Sequence, residues 1–522
     1  MHVALVVVGV ATLVAAFCAQ MLRWLRVLQR EHYEPSSMIR FLERWSSPPV
    51  SSPRRSPRLR SKRPITLSHV FLLAFVAAVL LRNDVLAVAA TVAYGVACPW
   101  GLSIKGRTSP LHWTRRLTTI AFVASAASLV VALAALWSTR PWLAAVAMVW
   151  AVPLMLDVSV RALAPLERRS AQRFVDQATT RLTRVHPRVV AITGSFGKTS
   201  TKNHLSDILG SDFGVVASPR SFNNRAGLSR AINENLTDGT RVFIAEMGTY
   251  GPGEIRELCA WCVPEIAVVT AIGPVHLERM KSLEVIERAK FEITERSAVV
   301  IVNIDDSRLV RWPDLLAATD KRVRSAGSEN VGASVRVIER DGEWSVVIGG
   351  EELGTTPRVI GVQATNLACA IAAALELGVA TSDVMARLSH VTPVENRLNV
   401  VTASSGVVVI DDTFNANPQS ALAALTVLRG LALSGRRVMV TPGLIELGRD
   451  QYGENLALAR KAAFYGVELV VVGRTNAVAL AAGYERDPLR FDTRDDAVAW
   501  VRSSLVAGDG VLYLNDLPDH YP

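Results

Sequence analysis

One stretch of the chain carries residues whose types and spacing suit phosphate chemistry: Val189-Val190-Ala191-Ile192-Thr193-Gly194-Ser195-Phe196-Gly197-Lys198-Thr199-Ser200. A β-branched run leads into a turn bearing two glycines, and Lys-Thr-Ser opens a helical pattern. Glycines let backbone N–H groups close around phosphate oxygens, and a helix start adds positive potential. Lys198 supplies a point charge for the β- and γ-phosphates, and the Thr199 hydroxyl a ligand for Mg²⁺. The spacing is shorter than the usual Gly-x4-Gly-Lys-Ser/Thr, because Ile192 stands where the first glycine is expected. Gly194, Ser195, Phe196, Gly197, Lys198, Thr199 and Ser200 form the candidate nucleotide loop, with Mg-ATP as its ligand.

A Mg-ATP site needs further polar groups beyond the sheet. Glu246 ends the run Val242–Glu246, where its side chain can face the crevice at the carboxyl edge of a parallel sheet. His276 follows the next run, and Lys290 lies on the helical pattern after it. Taken singly, each has an ordinary structural explanation: a cap, a loop histidine, a solvated helix residue.

The elements that must position these residues are legible as alternation. Arg188–Thr193, Val242–Glu246, Ile266–Thr270 and Val299–Asn303 read as strands buried on both faces, with helices such as Thr199–Leu209 and Glu284–Ser297 between them. That is the pattern of a doubly wound α/β domain. A second series starts near Arg397 and includes Val407–Ile410, Arg437–Val440, Leu469–Val472 and Gly510–Leu514. The expected division is a central domain at 187–392 and a C-terminal domain at 393–522, separated after the helix Asn366–Leu377. Arg322–Val359 reads as a β-rich insertion or sheet edge.

The first third has a different composition. The chain has 522 residues, half of them hydrophobic and 20% charged, with five cysteines. Its mean hydropathy is +0.26. Disordered, fibrous and disulfide-scaffold classes are thereby excluded. Apolar blocks at Val3–Leu22, Ile65–Pro99 (broken by Arg82-Asn83-Asp84), Thr118–Trp137 and Pro141–Leu156 predict five membrane spans within residues 1–165, the last ended by Asp157. Residues 23–65 hold eleven Lys/Arg against three Glu, a surplus of eight out of the chain's net ten. The high charge thus belongs to one loop and does not indicate nucleic-acid binding. Trp24–Trp45 is expected to lie along the membrane surface, and Ser46–Pro64 to be disordered. The loop reads as a topology signal touching anionic lipid headgroups, or as a binder of an anionic or lipid-linked substrate. Basic loops face the cytoplasm. The N-terminus is therefore expected outside the plasma membrane, with everything after about residue 158 inside.

Read in order, the polar segments resemble the Mur ligases. The matching strings are the nucleotide loop, Asn223-Asn224-Arg225-Ala226-Gly227, Ala245-Glu246-Met247-Gly248, His276-Leu277-Glu278, Ala289-Lys290-Phe291-Glu292-Ile293, Asn366-Leu367-Ala368, Asn396-Arg397-Leu398, Asp411-Asp412-Thr413-Phe414-Asn415-Ala416-Asn417-Pro418 and Ile445-Glu446-Leu447-Gly448. The resemblance is greatest to the type that adds D-alanyl-D-alanine to a UDP-MurNAc-tripeptide. It implies an ADP-forming amide ligase that activates a carboxylate as an acyl phosphate. Lys198 and Thr199 would hold the ATP phosphates and one Mg²⁺. Glu246 would ligate Mg²⁺, His276 a second Mg²⁺, and Lys290 would be carbamylated. Asn366 would lie near the base, Arg397 would reach the phosphates, and Asp412 would contact the nucleotide when the C-terminal domain closes, with Asn415 and Asn417 shaping that face.

Three departures stand out. Val362 and Gln363 replace the family's His-Asn ahead of Asn366, and Thr441-Pro442-Gly443-Leu444-Ile445 replaces its Gly-Asp-Met. The membrane block stands where soluble members grip the UDP-sugar, so the acceptor is either a small-molecule or a lipid-linked peptide. Other readings are a poly-γ-glutamate type ligase, an inactive membrane scaffold for wall synthesis and a transport ATPase. The bare spans argue against transport. Cys259-Ala260-Trp261-Cys262 lacks the second pair a zinc site needs and is expected to pack. The oligomeric state is left open.

Overall fold

The computed structural model describes residues 2–31, 33–35, 37–46, 67–99, 102, 104, 110–135, 137, 140–210, 213–219, 222–275, 277–394, 398–413 and 416–516. His276, Arg397 and Asn415, expected at the site, lie outside the described residues, as does the Ser/Pro/Arg-rich segment from residue 47. The chain divides into two compact units, one of residues 1–169 with 473–478 and the last residues from 516, the other of residues 170–472 and 479–515.

The first unit is helical: α1 (His2–Arg30), α2 (Ser37–Ser46), α3 (Leu67–Leu80), α4 (Asp84–Ala97), α5 (Arg115–Ala135) and the first part of α6 (Pro141–Val185). Among the described residues, α1, α5 and α6 are long and apolar enough to cross a membrane. The block Ile65–Pro99, expected to form two of the five spans, holds α3 and α4, each 14 described residues or about 21 Å at 1.5 Å per residue against about 30 Å of hydrocarbon. The turn at Arg82–Asp84 ends α3 early, and Asn83 caps α4 by accepting the Leu86 N–H at 3.0 Å.

Two expectations, on Trp24 and Arg23, are corrected. Trp24 does not lie on a surface helix. It belongs to α1, is fully buried, and meets Phe41 of α2 edge-on with ring centroids 5.5 Å apart. Asp157, expected to end the last span, lies within α6, which continues to Val185. Arg161, one turn on, pairs with Asp157 at 3.0 Å, so the charge is carried without breaking the helix. Arg23, expected in the basic loop, is buried. Its guanidinium donates to the carbonyls of Gly95, Val96, Cys98 and Leu102 around the end of α4. Helix ends leave such carbonyls unsatisfied. The C-terminal ends of α1 and α4 therefore share a side, while Arg140 and Asp84, 3.4 Å apart, join the starts of α6 and α4.

The second unit holds two sheets. The first comprises β1 (Arg188–Thr193), β2 (Val215–Ala217), β3 (Val242–Glu246), β4 (Ile266–Val269), β5 (Val299–Asn303), β6 (Arg322–Gly327), β7 (Val335–Arg340), β8 (Glu343–Ile348) and β9 (Glu351–Pro357), in the order β2-β3-β1-β4-β5-β6-β7-β8-β9. The pairings are parallel from β2 through β7 and antiparallel from β7 to β9, so Arg322–Val359 is indeed the sheet's edge. The strands are apolar on both faces because both are covered. Val190, Ile192, Ile244 and Val268 join one core; Val189, Ala191, Phe243 and Val269 join the other. Each fully buried aliphatic side chain contributes roughly 1.5–3 kcal/mol.

The helices of this sheet are α7 (Lys198–Leu209), α8 (Arg225–Asn235), α9 (Glu254–Trp261), α10 (Leu277–Met280), α11 (Leu283–Phe291), α12 (Trp312–Ala317) and α13 (Ala364–Glu376). The helix expected to run to Ser297 tightens into a 3₁₀ turn at Glu292–Thr294. There the Glu292 carboxylate accepts the Gly253 and Arg256 N–H groups at the start of α9, 2.7 and 3.0 Å away. The second sheet comprises β10 (Asn399–Thr402), β11 (Val408–Asp412), β12 (Arg437–Thr441), β13 (Glu468–Val472), β14 (Leu489–Phe491) and β15 (Gly510–Leu514), ordered β10-β11-β15-β12-β13-β14 and parallel except for β10. Cys259 and Cys262 are buried and free, and burial pushes the Cys259 thiol up to about 12, as packing residues require.

His204, on α7, is 1% exposed and both its ring nitrogens lack a hydrogen-bond partner. Burial lowers its pKa from 6.5 to about 4. Between these values the unfolded chain binds a proton that the folded chain does not. Stability is therefore complete above pH 6.5 and falls toward pH 4, by on the order of 3 kcal/mol. Thermal unfolding of His204→Leu at pH 7.5 and pH 5 should show a smaller acid loss than wild type; equal losses would refute this.

Candidate active site

The nucleotide loop leaves the carboxyl end of β1, between β3 and β4. Register sets Ile192 opposite Glu246, and Thr193 opposite Val269. The sheet thus delivers the loop, Glu246 and the segment after β4 to one edge, the position where doubly wound folds bind ligands. Gly194 and Gly197 take φ of +155° and +79°, and a Cβ at either would meet Thr270 Oγ1 at 1.9 Å or Asn366 Oδ1 at 2.2 Å. Glycine is required at both. Ser195 ties the loop to the next segment, accepting the Gly273 N–H at 2.9 Å while its own N–H reaches the Ala271 carbonyl at 2.7 Å. The Phe196 ring lies over Gly273. Past the end of β4, the Thr270 hydroxyl donates to the Thr193 carbonyl at the end of β1, 3.2 Å away, and to the Phe196 carbonyl within the loop.

Lys198 and Thr199 open α7, with Gly197 as the N-cap and Ser200 following. Lys198 Nζ lies 2.7 Å from the Gly194 carbonyl, spanning the loop. Glu246 is almost wholly buried. Its Oε2 accepts from Thr199 Oγ1 at 3.0 Å and from Lys202 Nζ at 3.2 Å, and its Oε1 from Asn223 Nδ2 at 3.2 Å. Burial alone would raise the carboxyl pKa, but Lys202, Lys198 and the two neutral donors outweigh it and hold the group below the usual range. Lys290 is buried on α11. Burial, and then the positive Lys198, push its pKa well below the ordinary lysine value, favouring the neutral amine.

Asn366, expected near the base, stands at the start of α13 against Gly197 and so beside the phosphate loop. Its Nδ2 donates to Gln363 Oε1 at 3.0 Å. The glutamine that replaces the family's His-Asn thus orients this amide.

Asp412 sits at the carboxyl end of β11 in the second sheet and accepts the Leu398 N–H at 3.2 Å. Asn417 caps the helix Pro418–Gly430 in a reciprocal box with Ser420, which is a structural task. The Leu277 N–H donates to the Glu446 carbonyl at 3.1 Å, joining loops from the carboxyl ends of β4 and β12. The Thr441–Ile445 departure is held stiffly here. Asn455 brackets Leu444 through both its N–H and its carbonyl, at 2.8 and 2.9 Å.

Three residues that matter to this geometry were not singled out from the sequence. Lys202 was legible as the residue one turn beyond Lys198. Asn303 Nδ2 donates to the Thr270 carbonyl at 2.8 Å, and Asp306 accepts the Ile272 N–H at 2.8 Å; together they fix the loop after β4. Their signal was an Asn-x-x-Asp string closing a buried strand.

The Mur ligase middle domain matches residues 192–374, and the Mur ligase glutamate ligase domain matches residues 396–514. The chain belongs to the Mur ligase family. It is 34% identical to the UDP-N-acetylmuramoyl-tripeptide–D-alanyl-D-alanine ligase of Mycobacterium leprae over 55% of this chain and 61% of that one. It is 32% identical to the ligase of the same name from Mycobacterium tuberculosis, over 62% of this chain and 69% of the relative. The chain therefore spans about two thirds of the length of these Mur ligase relatives. The crystal structure of MurF ligase from Thermotoga maritima in complex with ADP superposes with a TM-score of 0.57 at 25% identity, covering 66% of this chain and 80% of that one. The Mur ligase family and its α/β fold, as read from the sequence, agree with these matches.

Proposed function

We propose that this Mur ligase is an ATP-dependent, ADP-forming amide ligase of bacterial peptidoglycan synthesis, joining D-alanyl-D-alanine to a muramoyl tripeptide. The observation that supports it best is the meeting of Lys198, Thr199 and Glu246 at the carboxyl edge of one sheet, with a buried Lys290 whose positive charge Lys198 disfavours.

A carboxylate is a poor electrophile. Transfer of the γ-phosphoryl group of ATP to the peptide carboxylate makes an acyl phosphate and releases ADP. The amine of D-alanyl-D-alanine then attacks the carbonyl carbon, and the tetrahedral intermediate collapses to the amide with loss of phosphate and a proton. In this reading the glycine-lined loop and the α7 N-terminus bind the phosphates, and Lys198 stays on the β/γ oxygens as charge shifts between them. The oxygens of Thr199 and Glu246 suit Mg²⁺, a hard ion. Lys290 as a carbamate, with His276, would complete a second site. Bound there, Mg²⁺ would screen the phosphate charge. Arg397 and Asp412 would come to the nucleotide from the C-terminal domain, whose approach would exclude water from the acyl phosphate.

The test uses the full chain in detergent with Mg-ATP, UDP-MurNAc-tripeptide and D-alanyl-D-alanine, reading ligated product by mass spectrometry and phosphate release together. Product with matching phosphate is the expected outcome. Intact ATP binding with no product would reject this substrate pair. A lipid-linked acceptor is the second reading, favoured because the family matches begin only at residue 192, after the apolar helices; adding membrane lipid extract tests it.

The membrane reading places the helices of the first unit in the plasma membrane against lipid, with the N-terminus outside and the ligase part in the cytoplasm. A cysteine at position 138 should label from outside and one at position 51 should not; the reverse pattern would overturn this topology.

A further inference from the structure

Lys202 has no part in the chemistry above, yet it is the most confined cation near the site. It is 2% exposed, donates to the Ser218 carbonyl at 2.8 Å, and lies 3.2 Å from Glu246 Oε2. That oxygen also receives the Thr199 hydroxyl, while Ser218 Oγ accepts the Glu246 N–H at 3.0 Å. Lys202 and Ser218 thus grip Glu246 from its backbone and its carboxylate together. Buried ion pairs are commonly no more stabilising than apolar side chains of the same volume. Packing alone does not explain a lysine here.

We propose that Lys202 is the resident counter-ion of Glu246: it balances and orients the carboxylate when no metal is bound, and it opposes Mg²⁺ at the same oxygen, so that it sets the Mg²⁺ concentration at which nucleotide is held. It is a positioning residue, acting through Glu246. The inference rests on the Mg-ATP reading of the site. Two cations on one carboxylate repel each other. Replacing Lys202 by a neutral side chain therefore has opposite effects on the two states. The metal-free protein loses its counter-ion, while Mg²⁺ loses its competitor.

The experiment is thermal unfolding of the full chain in detergent with saturating ADP and titrated Mg²⁺, which needs no turnover. Wild type should show a Mg²⁺-dependent rise in Tm; its absence would reject the Mg-nucleotide reading and this inference with it. In Lys202→Met the metal-free Tm should fall by about 5 °C or more. Its Mg²⁺ midpoint should fall about tenfold. A midpoint within twofold of wild type, with the Tm lowered equally at all Mg²⁺ concentrations, would mean a merely structural lysine and would overturn the proposal. Should Lys202→Met fail to fold, Lys202→Met/Glu246→Gln decides. Recovery of folding supports the counter-ion role, and a double variant as unstable as the single one sinks it.

Discussion

Lys198→Ala is expected to lower product formation by at least about 10³-fold, the scale on which a preorganised donor to a developing charge acts. The reason is geometric. Lys198 opens α7 and its Nζ crosses the loop to the Gly194 carbonyl, 2.7 Å away, where phosphate oxygens would be enclosed. Glu246 keeps Lys202, Thr199 and Asn223 as partners when Lys198 is removed, so its buried carboxylate is not orphaned. The variant should stay in the membrane fraction, with Tm within a few degrees of wild type. Product formation and thermal unfolding, measured on the same preparation, separate loss of chemistry from loss of fold. Retention of more than a tenth of the activity would refute the assignment of this loop.

Lys290→Ala is expected to be equally severe, and its carbamate can be tested directly. Only a neutral amine attacks CO2, and burial together with the positive Lys198 disfavours the ammonium form of Lys290. The same Lys198 that repels an ammonium attracts the carbamate anion, so both steps of Lys-NH2 + CO2 → Lys-NH-COO⁻ + H⁺ are helped by the surroundings. Full-length protein equilibrated with ¹³C-bicarbonate should give a carbamate resonance that Lys290→Ala lacks, and activity should fall in CO2-free buffer. If Lys290→Ala keeps its activity, Lys290 has no essential role. If activity is lost but no Lys290-dependent resonance exists, the carbamate is wrong and the neutral amine itself is what the site needs.

Legibility from sequence followed the range of the interactions concerned. β1, β3 and β5 have the bounds read from β-branched runs, because a strand covered on both faces writes its burial into consecutive residues. Likewise, the glycines flanking Ser195 and Phe196 announced a loop that no side chain bearing a Cβ could form. Errors arose where a distant partner decided the outcome. Arg23 read as part of a basic loop but is buried against the end of α4, whose carbonyls are more than seventy residues away. Asp157 read as the end of a span and lies inside α6, since a membrane span and a helix end for different physical reasons: one by polarity, the other by loss of backbone hydrogen bonds.

The sequence by itself determined the parallel cores of the two sheets, the phosphate loop between β1 and α7, the apolar N-terminal helices and the Mur ligase order of the polar segments. All of these are encoded in local spacing and hydrophobic period. Only the tertiary structure decided that Glu246 is shared by Thr199, Lys202 and Asn223, that Gln363 orients Asn366 beside Gly197, and that Asp306 steadies the loop after β4. Those partners come from separate strands and loops. They meet because parallel pairing brings the carboxyl ends of β1, β3, β4 and β5 to one edge, and burial there leaves polar groups only one another to satisfy.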